Sequence, residues 1–107
     1  MSSKFSDWQR TTLPLLLLRE MSISPAHGYA LSARLEERGF ERVKGAQLYP
    51  ALTKLETQGY CESTWLEGEG GPGRKSYCLT SKGEEYLGEL ELEWERFTTA
   101  YSTFFKA

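Results

Sequence analysis

At 107 residues the chain has room for one domain and not for a second core. With 39% of its residues hydrophobic, 13% aromatic and 26% charged it can bury that core, which excludes intrinsic disorder as the main state. The net charge of −2 argues at first against a nucleic-acid partner, yet residues 1–80 hold ten Lys/Arg against nine Asp/Glu and residues 81–107 three against six, so the acid sits at the C-terminus. The longest apolar run, Leu15–Leu18, is too short to span a bilayer, and no export signal opens the chain; a soluble, cytoplasmic protein with no membrane partner is expected. Cys61, Cys78 and the single His27, with no C-x-x-C, make neither a disulfide framework nor a zinc site, and no metal or cofactor is expected.

Phe5, Trp8, Leu15, Leu16 and Leu18 predict a first helix that ends before the turn cluster Ser22–Pro25. Either Ser6 with Gln9 caps it early, or Thr12 caps a segment with Pro14 in its first turn. A second helix is predicted over Ala26–Arg38, stopped by Gly39. Leu48, Leu52 and Leu55 recur at i, i+4 and i+7 in a third, ended by Gly59. Pro50 fits this helix if it begins at Ala46 or Gln47, where the proline falls among N–H groups that have no partner anyway. Tyr60–Leu66 and Lys75–Leu79 read as two strands around a glycine-rich loop, Glu67–Arg74. A long last helix follows, opened by a Ser81–Glu84 capping box or by Thr80.

The fold class expected is mainly α with a small β-hairpin: a winged helix-turn-helix over residues 1–80 and a long C-terminal dimerisation helix over 81–107. On the third helix Gln47, Pro50, Lys54 and Thr57 project away from the leucines, with Tyr49 and Thr53 flanking them. That polar face suits a DNA groove, since Gln pairs with an adenine edge and Tyr, Thr and Lys bond phosphates. Arg74 and Lys75, at the base of the glycine-rich tip, are placed to meet flanking phosphates, against the opposing charge of Glu67 and Glu69. No nucleophile motif or carboxylate pair accompanies His27, so no catalytic residue is assigned. Cys61 and Cys78, on opposite hairpin strands, could meet, but reduced, half-buried thiols are expected.

The last helix carries Leu87, Leu90, Trp94, Phe97, Tyr101 and Phe104 at spacings of 3, 4, 3, 4 and 3, a seam that asks for a partner helix. We read it as the interface of a homodimer with two-fold symmetry. Trp94 is either part of that seam's core or, with its twin across the axis, one wall of a flat slot for a planar aromatic ligand. Phe97 and Trp8 are assigned with it to the candidate ligand site.

His27-Gly28-Tyr29, Leu48-Tyr49-Pro50-Ala51-Leu52 with Leu55-Glu56 and Gly59, and Gly73-Arg74-Lys75-Ser76-Tyr77-Cys78-Leu79-Thr80 with Gly83 together resemble the signature of PadR-family transcriptional regulators, over about residues 12 to 92. The resemblance implies a winged-helix dimer on an inverted-repeat operator in double-stranded DNA, usually a repressor released by a phenolic or other aromatic effector. The single C-terminal helix is similar to that of the smaller subgroup, some of whose members sandwich flat drugs with a tryptophan on it, matched here by Trp94. The family's groove-reading threonine, tyrosine and proline fall on Gln47, Tyr49 and Pro50, and its basic wing on Arg74 and Lys75. Gln47 departs from the usual threonine and implies a different operator. The alternative reading is a dimeric winged-helix module that binds protein and not DNA.

Overall fold

The computed structural model describes residues 3–67 and 73–107. Helix α1 (Lys4–Thr11) is opened by Ser3, whose hydroxyl oxygen accepts the Ser6 amide at 3.0 Å. The backbone turns at Thr12 (φ −97°, ψ 6°), and α2 (Leu13–Ile23) restarts with Pro14 in its first turn, where a missing N–H leaves nothing unpaired. The single first helix predicted from periodicity is therefore two, and Ser6 caps neither. Thr12 stands at the start of α2, but its hydroxyl donates backward to the Gln9 carbonyl at 3.2 Å.

Ala26 and His27, predicted as the start of the second helix, instead form the short strand β1 (Ala26–His27). The preceding Pro25 disfavours helical geometry at Ser24, and the extended chain that results reaches the sheet. Helix α3 (Gly28–Glu37) then begins, with the His27 imidazole accepting the Ala30 amide at 3.2 Å. Gly39 (φ +104°) closes it: its amide donates to Glu36 and that of Phe40 to Leu35, the paired bonds of a glycine helix stop. The same pattern, through Gly59 (φ +85°) and Tyr60, ends α4 (Gly45–Thr57). Because α4 starts at Gly45, Pro50 is its sixth residue and falls beyond the unpaired first turn, contrary to expectation; the Ala46 carbonyl loses its intrahelical donor.

Strands β2 (Cys61–Leu66) and β3 (Arg74–Leu79) pair antiparallel, and β1 adds to the far side of β3, giving a three-stranded sheet of order β1-β3-β2 where a hairpin was expected. Most of the expected tip loop, residues 68–72, lies outside the described residues. Cys61 is opposite Leu79 and Cys78 opposite Glu62, so the pleat sends the two sulfurs to opposite faces; they do not meet, and both thiols are free. Helix α5 (Ser81–Lys106) is capped by Thr80, whose hydroxyl accepts the Gly83 amide at 3.0 Å and donates to the Gly59 carbonyl at 2.5 Å. A Cβ on Gly83 would run into the Tyr60 carbonyl, so the first turn of α5 lies directly on the end of α4.

The core is leucine-rich, with Leu17, Leu18, Leu31, Leu35 and Leu52 sealed among α2, α3 and α4 and Leu87 closing it from α5. Glu20, only 1% exposed, is buried with them and bonded to the Arg38 guanidinium, which ties α2 to the end of α3. That carboxylate holds the arginine's pKa above its ordinary value, chiefly through the hydrogen bond. Among the described residues no helix is long and apolar enough to cross a membrane.

Candidate nucleic-acid interface

Helix α4 turns Leu48, Leu52 and Leu55 into the core and leaves Tyr49, Pro50, Thr53, Lys54 and Thr57 exposed. This is the face expected from the sequence, with one change. Gln47 is half-buried on the flank that meets α1, and with its amide oxygen turned to Arg10 it accepts from Nε at 3.0 Å and Nη2 at 2.8 Å. Arg10, Gln47, Pro50 and Lys54 together line a groove between α1 and α4. Arg10 carried no signal in the sequence, because its place depends on a contact between helices 37 positions apart.

The ends of α1 and α4 are also joined through the turn that precedes α4. The Gln9 side-chain nitrogen donates to the Glu41 carbonyl at 2.8 Å while its oxygen accepts the Glu41 amide at 2.9 Å. Ser3 and Ser6 donate to the Glu41 carboxylate, so three α1-side residues hold one loop residue. A buried amide that satisfies both groups of a backbone unit fixes that loop's path and, with it, where α4 starts.

On its other side α4 faces the sheet across a cleft of about 630 Å³. Tyr49 and Thr53 line it from the helix, Arg74, Lys75 and Trp65 from the strands, and His27 and Tyr29 from the β1–α3 junction. Gly28 is required here: a Cβ would stand 2.9 Å from the Tyr49 ring and 3.2 Å from Leu52. The close approach of Gly28 to α4 explains why His-Gly-Tyr and Leu-Tyr-Pro-Ala-Leu occur together, since one supplies the space that the other's tyrosine fills. Arg74 belongs to β3 and not to the loop, and both it and Lys75 are exposed at the start of the strand. Trp65, 64% exposed and opposite Lys75, puts an aromatic on the wing that sequence reasoning missed, because an exposed tryptophan looks like any strand residue at period two.

The seam on α5 divides in two. Leu87 is buried in the chain's own core and Leu90 packs against it, so these two positions, expected at the dimer interface, are taken up within the domain by contact with α2. From Trp94 onward none of the described residues covers the stripe: Trp94, Phe97, Tyr101 and Phe104 are exposed, with Phe105, which the 3–4 spacing had not included. Their rings touch in series, Trp94 to Phe97 at 5.9 Å, Phe97 to Tyr101 at 4.8 Å and Tyr101 to Phe105 at 5.8 Å. Trp8 stands apart from them on α1, 70% exposed.

The chain matches the Transcriptional regulator PadR-like family over residues 15–89. An uncharacterised protein of Lysinibacillus sphaericus is 33% identical over 91 residues, 83% of this chain and 84% of that one. Among solved structures, a PadR family transcriptional regulator from Eggerthella lenta aligns with a TM-score of 0.83 at 34% identity, covering 92% of this chain and 85% of that one. A PadR-like transcriptional regulator from Bacillus cereus does so with a TM-score of 0.83 at 29% identity, covering 94% and 98%. The matched span contains the Gly28–Tyr49 contact, the outer face of α4 and the strands that carry Arg74 and Lys75. The chain belongs to the PadR-like family of transcriptional regulators.

Proposed function

We propose that the protein is a homodimeric repressor that binds an inverted repeat in double-stranded DNA and leaves it when a planar aromatic or phenolic compound occupies the dimer seam. The observation that carries the DNA half is the cleft in which the outer face of α4, with Tyr49 and Thr53, stands across from Arg74 and Lys75. A helix that fits a major groove thus has cations beside it for the flanking phosphates. Pro50 and Lys54 extend that face, and Gln47 reads a base edge at its border, steadied by Arg10. The acidic residues of 81–107 all belong to α5 and none to α4, so the chain's excess negative charge is not carried by the helix proposed to meet an anionic partner.

The dimer half rests on the uncovered aromatics of α5. Trp94, Phe97, Tyr101 and Phe104 on one helix make a contiguous apolar strip beyond what a monomer leaves in water, and an identical strip on a second copy covers it. Trp94 and its twin then form the ligand slot, with Phe97 at its edge; Trp8, apart on α1, does not enter it. The test is fluorescence anisotropy of a labelled duplex from upstream of the gene against a random duplex, run beside sedimentation of the protein alone. A dimer that prefers the upstream duplex supports the reading. A dimer that binds neither duplex leaves the protein-interaction module, and a monomer ends the two-fold operator.

A further inference from the structure

At the foot of the sheet, two hydrogen-bond donors face each other with no acceptor between them. The Nδ1 atom of His27 accepts the Ala30 amide at 3.2 Å, so the neutral ring carries its proton on Nε2. That Nε2 stands 3.3 Å from Nη1 of Arg74, a guanidinium nitrogen with protons and no available lone pair. The pair cannot bond to itself; each N–H needs an oxygen. Among the described residues no carboxylate pairs with Arg74. Both groups open on the cleft whose other wall is Tyr49 and Thr53 of α4, with Lys75 adding charge at the same rim.

We propose that His27 Nε2 and Arg74 Nη1 jointly hold one non-bridging phosphate oxygen of the DNA backbone. An anionic oxygen accepts from both donors at once, and bonds of that kind to a charged partner are the stronger class. The two groups do different work: the guanidinium neutralises charge, whereas the neutral imidazole fixes direction and leaves the charge balance alone. His27 therefore joins the start of α3 to the phosphate through one ring, one nitrogen for each. The assignment deepens the DNA-binding reading above and rests on it.

The difference in charge separates the two residues experimentally. His27→Asn keeps a favoured helix cap, so its melting temperature should match that of the unaltered chain, while its shorter amide N–H stops short of the oxygen that the imidazole Nε2 reaches. It should weaken binding by about five- to tenfold on specific and random duplexes alike, with the slope of log K against log salt unchanged. Arg74→Ala should weaken binding and lower that slope by about 1. In the double variant the His27 loss should shrink below about twofold, because without the guanidinium the shared oxygen is no longer held against the imidazole. Imidazole 15N shifts of the unaltered protein give an independent readout that needs no variant: protonated Nε2 and bare Nδ1 are expected, and the opposite tautomer overturns the pair. So does His27→Asn binding like the unaltered chain while Lys54→Ala still impairs it, or full additivity in the double variant. Failure of the unaltered dimer to bind any duplex is a distinct result, because it removes the DNA reading itself and the clamp with it.

Discussion

Lys54 and Gln47 lie two turns apart along one face of α4 but in different electrostatic company. Lys54 is an exposed ammonium, while Gln47 is half-buried beside the Arg10 guanidinium. Lys54→Ala should weaken every duplex equally and reduce the salt slope by about 1, whereas Gln47→Ala should bring specific and random affinities closer together at an unchanged slope. A salt titration of both variants on both duplexes checks the pair. The cysteines separate just as cleanly. Burial pushes the Cys61 thiol from 9.0 up to about 11, with the Glu56 carboxylate adding to the shift. Cys78 is raised as well, by burial and then by Glu62, but is the less buried of the two. Alkylation at pH 8 should label Cys78 slowly and Cys61 only after unfolding, as counted by intact mass. Since Cys61 keeps its proton more tightly when folded, it adds stability below pH 9 that fades as pH rises toward 11, and the melting temperature should fall across that window. The outward residues of α4 were legible because helical periodicity alone sorts Leu48, Leu52 and Leu55 from Tyr49, Pro50 and Lys54. The Arg10–Gln47 contact and the aim of His27 at Arg74 were not, because each depends on how separate elements pack.

Single elements show where local signals win and where they lose. Gly39 and Gly59 stop α3 and α4 as their positions predict, since a left-handed residue at a helix end is a local requirement. The break at Thr12 was half legible, as Pro14 marks a helix start but Phe5 and Trp8 continue the apolar pattern upstream. Strand β1 was illegible, because two extended residues have no period, and Ala26 and His27 are strand only by virtue of Tyr77 and Ser76 beside them. Pro50 is the sharpest conflict between local preference and fold. It lies inside α4 and leaves the Ala46 carbonyl without its helical donor, a cost the fold carries on the very face proposed for DNA. Pro50→Ala should therefore raise unfolding stability by about 1–3 kcal/mol in urea denaturation. A neutral or lower stability would mean that the proline is compensated by the turn ahead of α4, where Gln9 grips Glu41.

At the scale of the molecule, the chain is more extended than its length demands. Its radius of gyration is 15.3 Å, against about 13 Å for a globule of this size, because α5 runs on past the core. From Glu91 to Lys106 the helix is almost entirely exposed, and an unsupported helix of that length is marginal in water. A second copy would supply the missing contacts. Phe97→Glu, placing a charge in the middle of the aromatic series, should convert the dimer to monomer at micromolar concentration in sedimentation velocity, with α5 losing helicity in circular dichroism. A planar aromatic dye should quench tryptophan emission in the unaltered dimer and in Trp65→Ala but not in Trp94→Ala; equal quenching in all three places the dye elsewhere. The exposed aromatic stripe was only partly legible: the 3–4 spacing ran on unbroken through Leu87 and Leu90, and only packing shows that those two contact the domain's own core.

The seating of Gly83 on the Tyr60 carbonyl has a mechanical meaning. A helix of this length is a rod of about 39 Å, and tilting it by about 10° about its first turn would displace its far end by about 7 Å, roughly two base steps. If the far ends are fastened to each other, the same swing moves the two reading heads apart by a comparable amount. In the proposed dimer Gly83 would then be the stop that gauges the distance between half-sites, and Gly83→Ala should shift the spacing recovered when randomised duplexes are selected for binding.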